Sequence, residues 1–150
     1  MSEDLWGDIP EAKDVITPLE ILREQAKLLA QKTRGKLTAN INRFNKSLSN
    51  NETDAILSAM ANSTKPNTKL LSLDFHYSFE LIAPALNNYA YSILEIAHDI
   101  ELYPVFVFDW SSKKTYQCND AATYHHCLAT ILQAEKTRNV IASLLKQSSS

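Results

Sequence analysis

The chain has 150 residues, 45% of them hydrophobic and 21% charged, with a formal net charge of -2. That is enough for one domain that buries roughly 70% of the surface its unfolded form would expose, so its core needs no disulfide or metal as a staple. A charge this close to neutral excludes a global pull toward nucleic acid or anionic membrane and leaves only local patches to act that way.

The first fourteen residues carry Glu3, Asp4, Asp8, Glu11 and Asp14 against Lys13 alone, and Gly7 and Pro10 interrupt any periodicity. The composition predicts a flexible acidic arm. Leu5, Trp6 and Ile9 form a short apolar cluster within it, suited either to folding back on the domain or to docking in a groove on a partner. No basic leader or apolar h-region is written here, and no later run reaches the roughly 18 apolar residues of a membrane helix. With only Cys118 and Cys127 as thiols, the expectation is a cytoplasmic protein that neither spans nor binds a membrane.

Thr17-Pro18-Leu19-Glu20 is a capping box with proline at the first helical position, and Gly35 supplies the stop. Between them Leu19, Leu22, Ala26 and Leu29 adjoin a second stripe of Ile21, Gln25 and Leu28, which predicts a helix with one broad buried face. The period then changes, with Leu37, Ala39 and Ile41 alternating against Thr38, Asn40 and Asn42 as in a strand. Lys32, Arg34, Lys36, Arg43 and Lys46 make this the one basic run. It could clamp phosphates, but Lys32 and Arg34 also suit a helix C-terminus, and a solvated face is the plainer reading.

Residues 47–69 read as a polar insertion broken at Lys65-Pro66. From Leu71 to Ile82, apolar Leu71, Leu73, Phe75, Tyr77, Phe79 and Leu81 alternate with polar Ser72, Asp74, His76, Ser78 and Glu80, the clearest strand in the chain. Ala83-Pro84 ends it. Tyr89 to His98 is apolar on both faces, which suits a central strand. Val105 to Trp110 is strongly β-prone, and Thr115 to Cys118 returns from a Ser111-Lys114 turn. Asn119 or Asp120 caps a helix reaching about Gln133, and Thr137 caps a last one.

The expected fold is therefore α+β: an N-terminal helix, an antiparallel sheet of four to five strands, and two C-terminal helices packed on the sheet. One domain spans 15–147, with 1–14 as the arm and 148–150 as a frayed tail.

Chemistry is harder to find. With only Gly7 and Gly35, no phosphate-cradling glycine loop can be written, which removes kinase, GTPase and dinucleotide-binding readings. Cys118, His125, His126 and Cys127 resemble a zinc set, but at roughly 100° per residue His125 and Cys127 fall on opposite flanks of a helix, so no metal is assigned. Asp74, His76 and Ser78 carry the letters of a catalytic triad. Residues two apart on a strand, however, lie roughly 6.5–7 Å apart, beyond hydrogen-bond reach. The acidic residues of the sheet region, including Glu95, Asp99, Glu101 and Asp109, read as solvated surface.

Val105 and Val107 oppose Phe106, Phe108 and Trp110, so that strand is apolar on both faces and invites a helix on each side or a partner. The favoured function is a non-enzymatic protein-binding factor, a small adaptor, inhibitor or immunity-type protein, with a homodimer as one form it could take. It would act through Leu5, Trp6 and Ile9 of the arm or through Phe106, Phe108 and Trp110. The alternative is an enzyme or ligand pocket built from Asp74, His76, Glu80 and His98. Nucleic-acid binding through Lys32–Lys46 ranks third. No cofactor is expected.

Overall fold

The computed structural model describes residues 3–44 and 73–149. Leu71, Ser72, Lys46 and the insertion expected at 47–69 lie outside the described residues.

Helix α1 spans Pro18–Lys32, and the Thr17 hydroxyl accepts the Glu20 N–H at 3.1 Å, satisfying one of the free donors of its first turn. At its far end Arg34 and Gly35 take the left-handed conformation, with φ of 53° and 80°, and the Gly35 N–H returns to the Ala30 carbonyl at 2.8 Å. Thr33 then joins the helix to the sheet. Its hydroxyl donates to the Leu29 carbonyl (2.9 Å) and accepts the Leu37 N–H (3.1 Å).

Five strands follow in a plain antiparallel meander whose spatial order is their chain order: β1 (Thr38–Phe44), β2 (Phe75–Ala83), β3 (Tyr89–His98), β4 (Val105–Asp109) and β5 (Lys114–Cys118). The Tyr89–His98 strand is central, and the strand beginning at Phe75 lies one in from the edge. Short links explain the order from β2 to β5, since a hairpin needs only a few residues whereas a parallel crossover needs a dozen or more; β1 and β2 are antiparallel neighbours although residues 45–74 separate them. Asn87 and Asn88, both with positive φ, make the β2–β3 turn, as asparagine tolerates that region better than most residues. At the β4–β5 turn, Asp109 accepts from the Ser111 N–H (2.9 Å) and the Ser112 hydroxyl (3.0 Å).

The sheet has two faces. Register places Ala39 and Ile41 of β1 beside Leu81 and Phe79 of β2, then Leu94 and Ile96 of β3, then Val107 of β4. This face meets helix α1, helix α2 (Ala121–Leu132) and helix α3 (Glu135–Ser148) in one core that includes Leu22, Tyr124, Leu128 and Leu144. The opposite face carries Phe44, His76, Ala97, Phe106 and Phe108; Leu73 packs there against Ala97 and Phe106.

Strict alternation along β3 would place Tyr91 with Ile93 and against Leu94. The structure differs because the register shifts between Phe79 and Glu80: Leu81 pairs with Tyr91 but Phe79 with Leu94, which leaves Ile93 as an extra residue. Such a bulge bends the strand and brings both Ile93 and Leu94 into the helix-covered core.

The two C-terminal helices begin differently. Asp120 caps α2 by accepting the Thr123 N–H at 2.8 Å. Helix α3 starts earlier than Thr137, at Glu135, with no side-chain cap. The buried Thr137 hydroxyl instead donates to the Ile131 carbonyl at 2.8 Å, an acceptor at the end of α2 that also takes the Ala134 N–H at 3.3 Å.

The longest-range tie is at the start of α1. Tyr124 of α2 is fully buried, and its hydroxyl donates to the Pro18 carbonyl at 2.9 Å. Burial pushes its phenol far above the ordinary value, with Tyr103, Cys118 and Cys127 adding to the shift, so it stays protonated and a donor. Tyr124→Phe removes one neutral hydrogen bond while keeping the ring. It should cost about 1 kcal/mol, or roughly 3 °C in a thermal melt; an unchanged melting temperature would show the bond to be idle.

Candidate docking groove and N-terminal arm

Helices α1 and α2 both rest on the sheet, and beyond their meeting at Pro18 and Tyr124 a groove of about 620 Å³ separates them. Its floor is Phe79, Leu81 and Ile93, the last placed there by the bulge. One wall is Ile21, Gln25, Leu28 and Leu29 of α1; the other is Leu128, Ala129 and Leu132 of α2, with Ile141 of α3 at the end. Lys32, His125 and Arg138 also line it, and no carboxylate does. The groove is thus apolar below and cationic at its rim, within the size range of ordinary ligand sites. A smaller cavity of about 560 Å³ lies on the other flank of α3, between Leu86, Tyr89 and Tyr91 and the helix residues Val140 and Leu144.

The arm runs before α1 without helix or strand until one short turn at Ala12–Asp14, and it bends around Gly7, whose φ is 63°. Leu5, Trp6 and Ile9 are 87%, 83% and 69% exposed, and Val15 and Ile16 are exposed as well. Local bonds shape it: the Trp6 N–H donates to Asp4 at 2.9 Å, and Lys13 pairs with Glu11 at 2.9 Å. Five exposed apolar side chains within twelve residues, 5–16, are unusual for surface that stays in water.

The other aromatic candidates sit elsewhere. Phe106 and Phe108 are each 1% exposed on the sheet face opposite the described helices. Trp110 is half-buried beside Phe108, with ring centroids 5.0 Å apart at 84°, and the Lys113 ammonium lies 4.4 Å from its ring centre. These three therefore present little free apolar surface.

Asp74, His76, Glu80 and His98 are not brought together. His76 and His98 occupy opposite faces of the sheet, because His98 pairs with Phe75, the residue next to His76. The His76 ring donates through Nε2 to the Leu73 carbonyl at 2.7 Å and packs on Phe44. His98 donates through Nδ1 to the Asp99 carbonyl at 2.7 Å and stacks on Phe75 and Tyr77; its Nε2 has no hydrogen-bond partner among the described residues. Glu80 shares the His76 face but lies about 13 Å along the strand, where it accepts from Asn40 and Asn42. Asp74 is exposed at the start of β2.

The basic residues are also spread out. Lys32, Arg34 and Lys36 cluster at the turn after α1, with Lys36 donating to Ser149 at 2.9 Å. Arg43 lies about 20 Å away near the other end of β1, its guanidinium 5.4 Å from the Phe75 ring centre.

The histidine and cysteine residues of α2 diverge. His125 lines the groove, whereas Cys127 turns toward the buried Cys118 at the end of β5, and both thiols are free. Among the described residues no group of three or more His, Cys, Asp and Glu is gathered closely enough to hold a metal ion. The Cys127 thiol donates to Cys118, which holds the Cys118 thiol below its ordinary pKa and drives that of Cys127 well above it.

No family model, curated protein or solved structure matches the chain. The groove was not legible beforehand. Its only forewarning was the width of the apolar face on α1, two stripes where one would seat a helix on a sheet; the Ile21, Gln25 and Leu28 stripe lines the groove.

Removing the donor in Cys127→Ala leaves only burial and the Asp120 charge acting on Cys118, both of which raise its pKa. Its thiolate absorbance should therefore appear at higher pH in a titration of the variant. An unmoved curve would show that the two thiols do not share a proton.

Proposed function

We propose that this chain is a non-enzymatic protein-binding factor that docks through its N-terminal arm. The observation that carries this reading is the exposure of Leu5, Trp6 and Ile9 together on an acidic segment that the domain leaves uncovered. Burying a tryptophan and two aliphatic side chains on a partner is the kind of anchor that dominates interface energies. The surrounding Glu3, Asp4, Asp8 and Glu11 would steer the arm toward a basic surface and keep it soluble when free. Two further points support the arm over the sheet. Phe106 and Phe108 are already buried, and the polar residues suggested for catalysis lie on separate faces with local structural partners.

The test is affinity capture from a lysate of the native source, with the intact chain and a Leu5→Ala, Trp6→Ala, Ile9→Ala triple variant compared side by side. Partners held by the intact chain should be lost from the variant, while thermal stability should change by no more than about 0.5 kcal/mol because the three side chains are exposed. Equal capture by both proteins would place the binding surface elsewhere.

A further inference from the structure

We infer that the occupant of the groove between α1 and α2 is the N-terminal arm of a second copy of this chain, so that two copies associate by exchanging arms. This rests on the reading of the arm as the docking element and names its partner.

The two surfaces are complementary. The arm presents Leu5, Trp6 and Ile9 among five carboxylates opposed by the single Lys13. The groove presents an apolar floor, the cations Lys32 and Arg138, His125, and no carboxylate. Lys32 closes α1, Gln133 caps the end of α2 and Arg138 lies on the first turn of α3, so the two cations belong to the same end of the groove.

Length fits as well. From Ile21 to Lys32 the groove follows eleven helical steps, about 16 Å. The four steps from Leu5 to Ile9, drawn out at about 3.3 Å each, would cover about 13 Å of that length. Eight residues, 10–17, connect Ile9 to α1 and can span up to about 28 Å, enough to cross to a neighbour. In the single chain no arm residue lines the groove, Leu5, Trp6 and Ile9 remain exposed, and so do Lys32 and Arg138 at the groove rim. A second copy covers both at once. The arrangement is self-complementary, because each copy gives an arm and receives one, and it closes as a two-fold dimer.

Sedimentation velocity of the full chain over a range of concentrations is the direct measurement. A reversible monomer–dimer equilibrium is expected. Trp6→Glu should weaken dimerisation about thirtyfold or more, the loss typical of a buried tryptophan anchor. Lys32→Glu with Arg138→Glu, both on exposed side chains, should weaken it too, and adding Asp4→Lys with Asp8→Lys to that same chain should restore it. Mixing the Trp6→Glu chain, which keeps a sound groove, with the Lys32→Glu/Arg138→Glu chain, which keeps a sound arm, should give more association than either shows alone. That complementation separates a lost contact from a misfolded variant. A monomer at every concentration would overturn the inference, as would a dimer indifferent to Trp6→Glu. So would a monomer whose Trp6 emission is already shifted to the blue, since its arm would be seated in its own groove. If the chain is monomeric yet arm-dependent capture of other proteins persists, the exchange fails while the protein-binding reading stands. Loss of both removes both.

Discussion

One hydrogen bond sets the relation of the helices. Tyr124, buried in α2, donates to the carbonyl of Pro18, the first residue of α1, across 106 positions of sequence. A phenol whose pKa is driven upward by burial keeps its proton, so the tie holds at any pH at which the protein is folded. It fastens the two helices at one end of the sheet. Further along, side chains of α1 and α2 line the two sides of the groove above the buried Phe79, Leu81 and Ile93. All three helices share one buried core with this face of the sheet.

The same geometry explains why polar chemistry does not gather. An antiparallel meander assigns successive residues of each strand to opposite faces, and it separates His76 from His98 although they lie on neighbouring strands one register step apart. Each ring spends a nitrogen on a nearby backbone carbonyl, as buried imidazoles do when they are parts of the framework. Asp109 uses both carboxylate oxygens to shape the turn behind it. Among the described residues, the apolar side chains of the arm stay exposed: Leu5, Trp6 and Ile9.

Much of this was legible in the residues. Thr17-Pro18 and Gly35 bracket α1 because capping and left-handed turns depend on local chemistry alone. The alternation from Phe75 onward marks a strand because a pleat has a strict period. Legibility ended where the cause was not local. The bulge at Ile93 answers to pairing with Phe79 and Leu81 on another strand, so the simple alternation placed Tyr91 and Ile93 wrongly with respect to Leu94. Thr137 looks like a cap in sequence but spends its hydroxyl on Ile131, a preference that only the packing of α3 on α2 creates. The groove belongs to no single segment: it needs a stripe of α1, a stripe of α2 and a floor from two strands. The exposure of Trp6 was equally undecided, since the same letters serve an arm that folds back and one that stays out.

Photo-crosslinking tests arm exchange most directly. A photoreactive residue at position 6 would be activated in an equal mixture of chains grown on light and on heavy nitrogen. Arm exchange predicts crosslinked peptides of mixed label, joining position 6 to residues 21–32 or 125–133 of the other copy. Crosslinks confined to one label, or to surfaces away from these two helices, would contradict it.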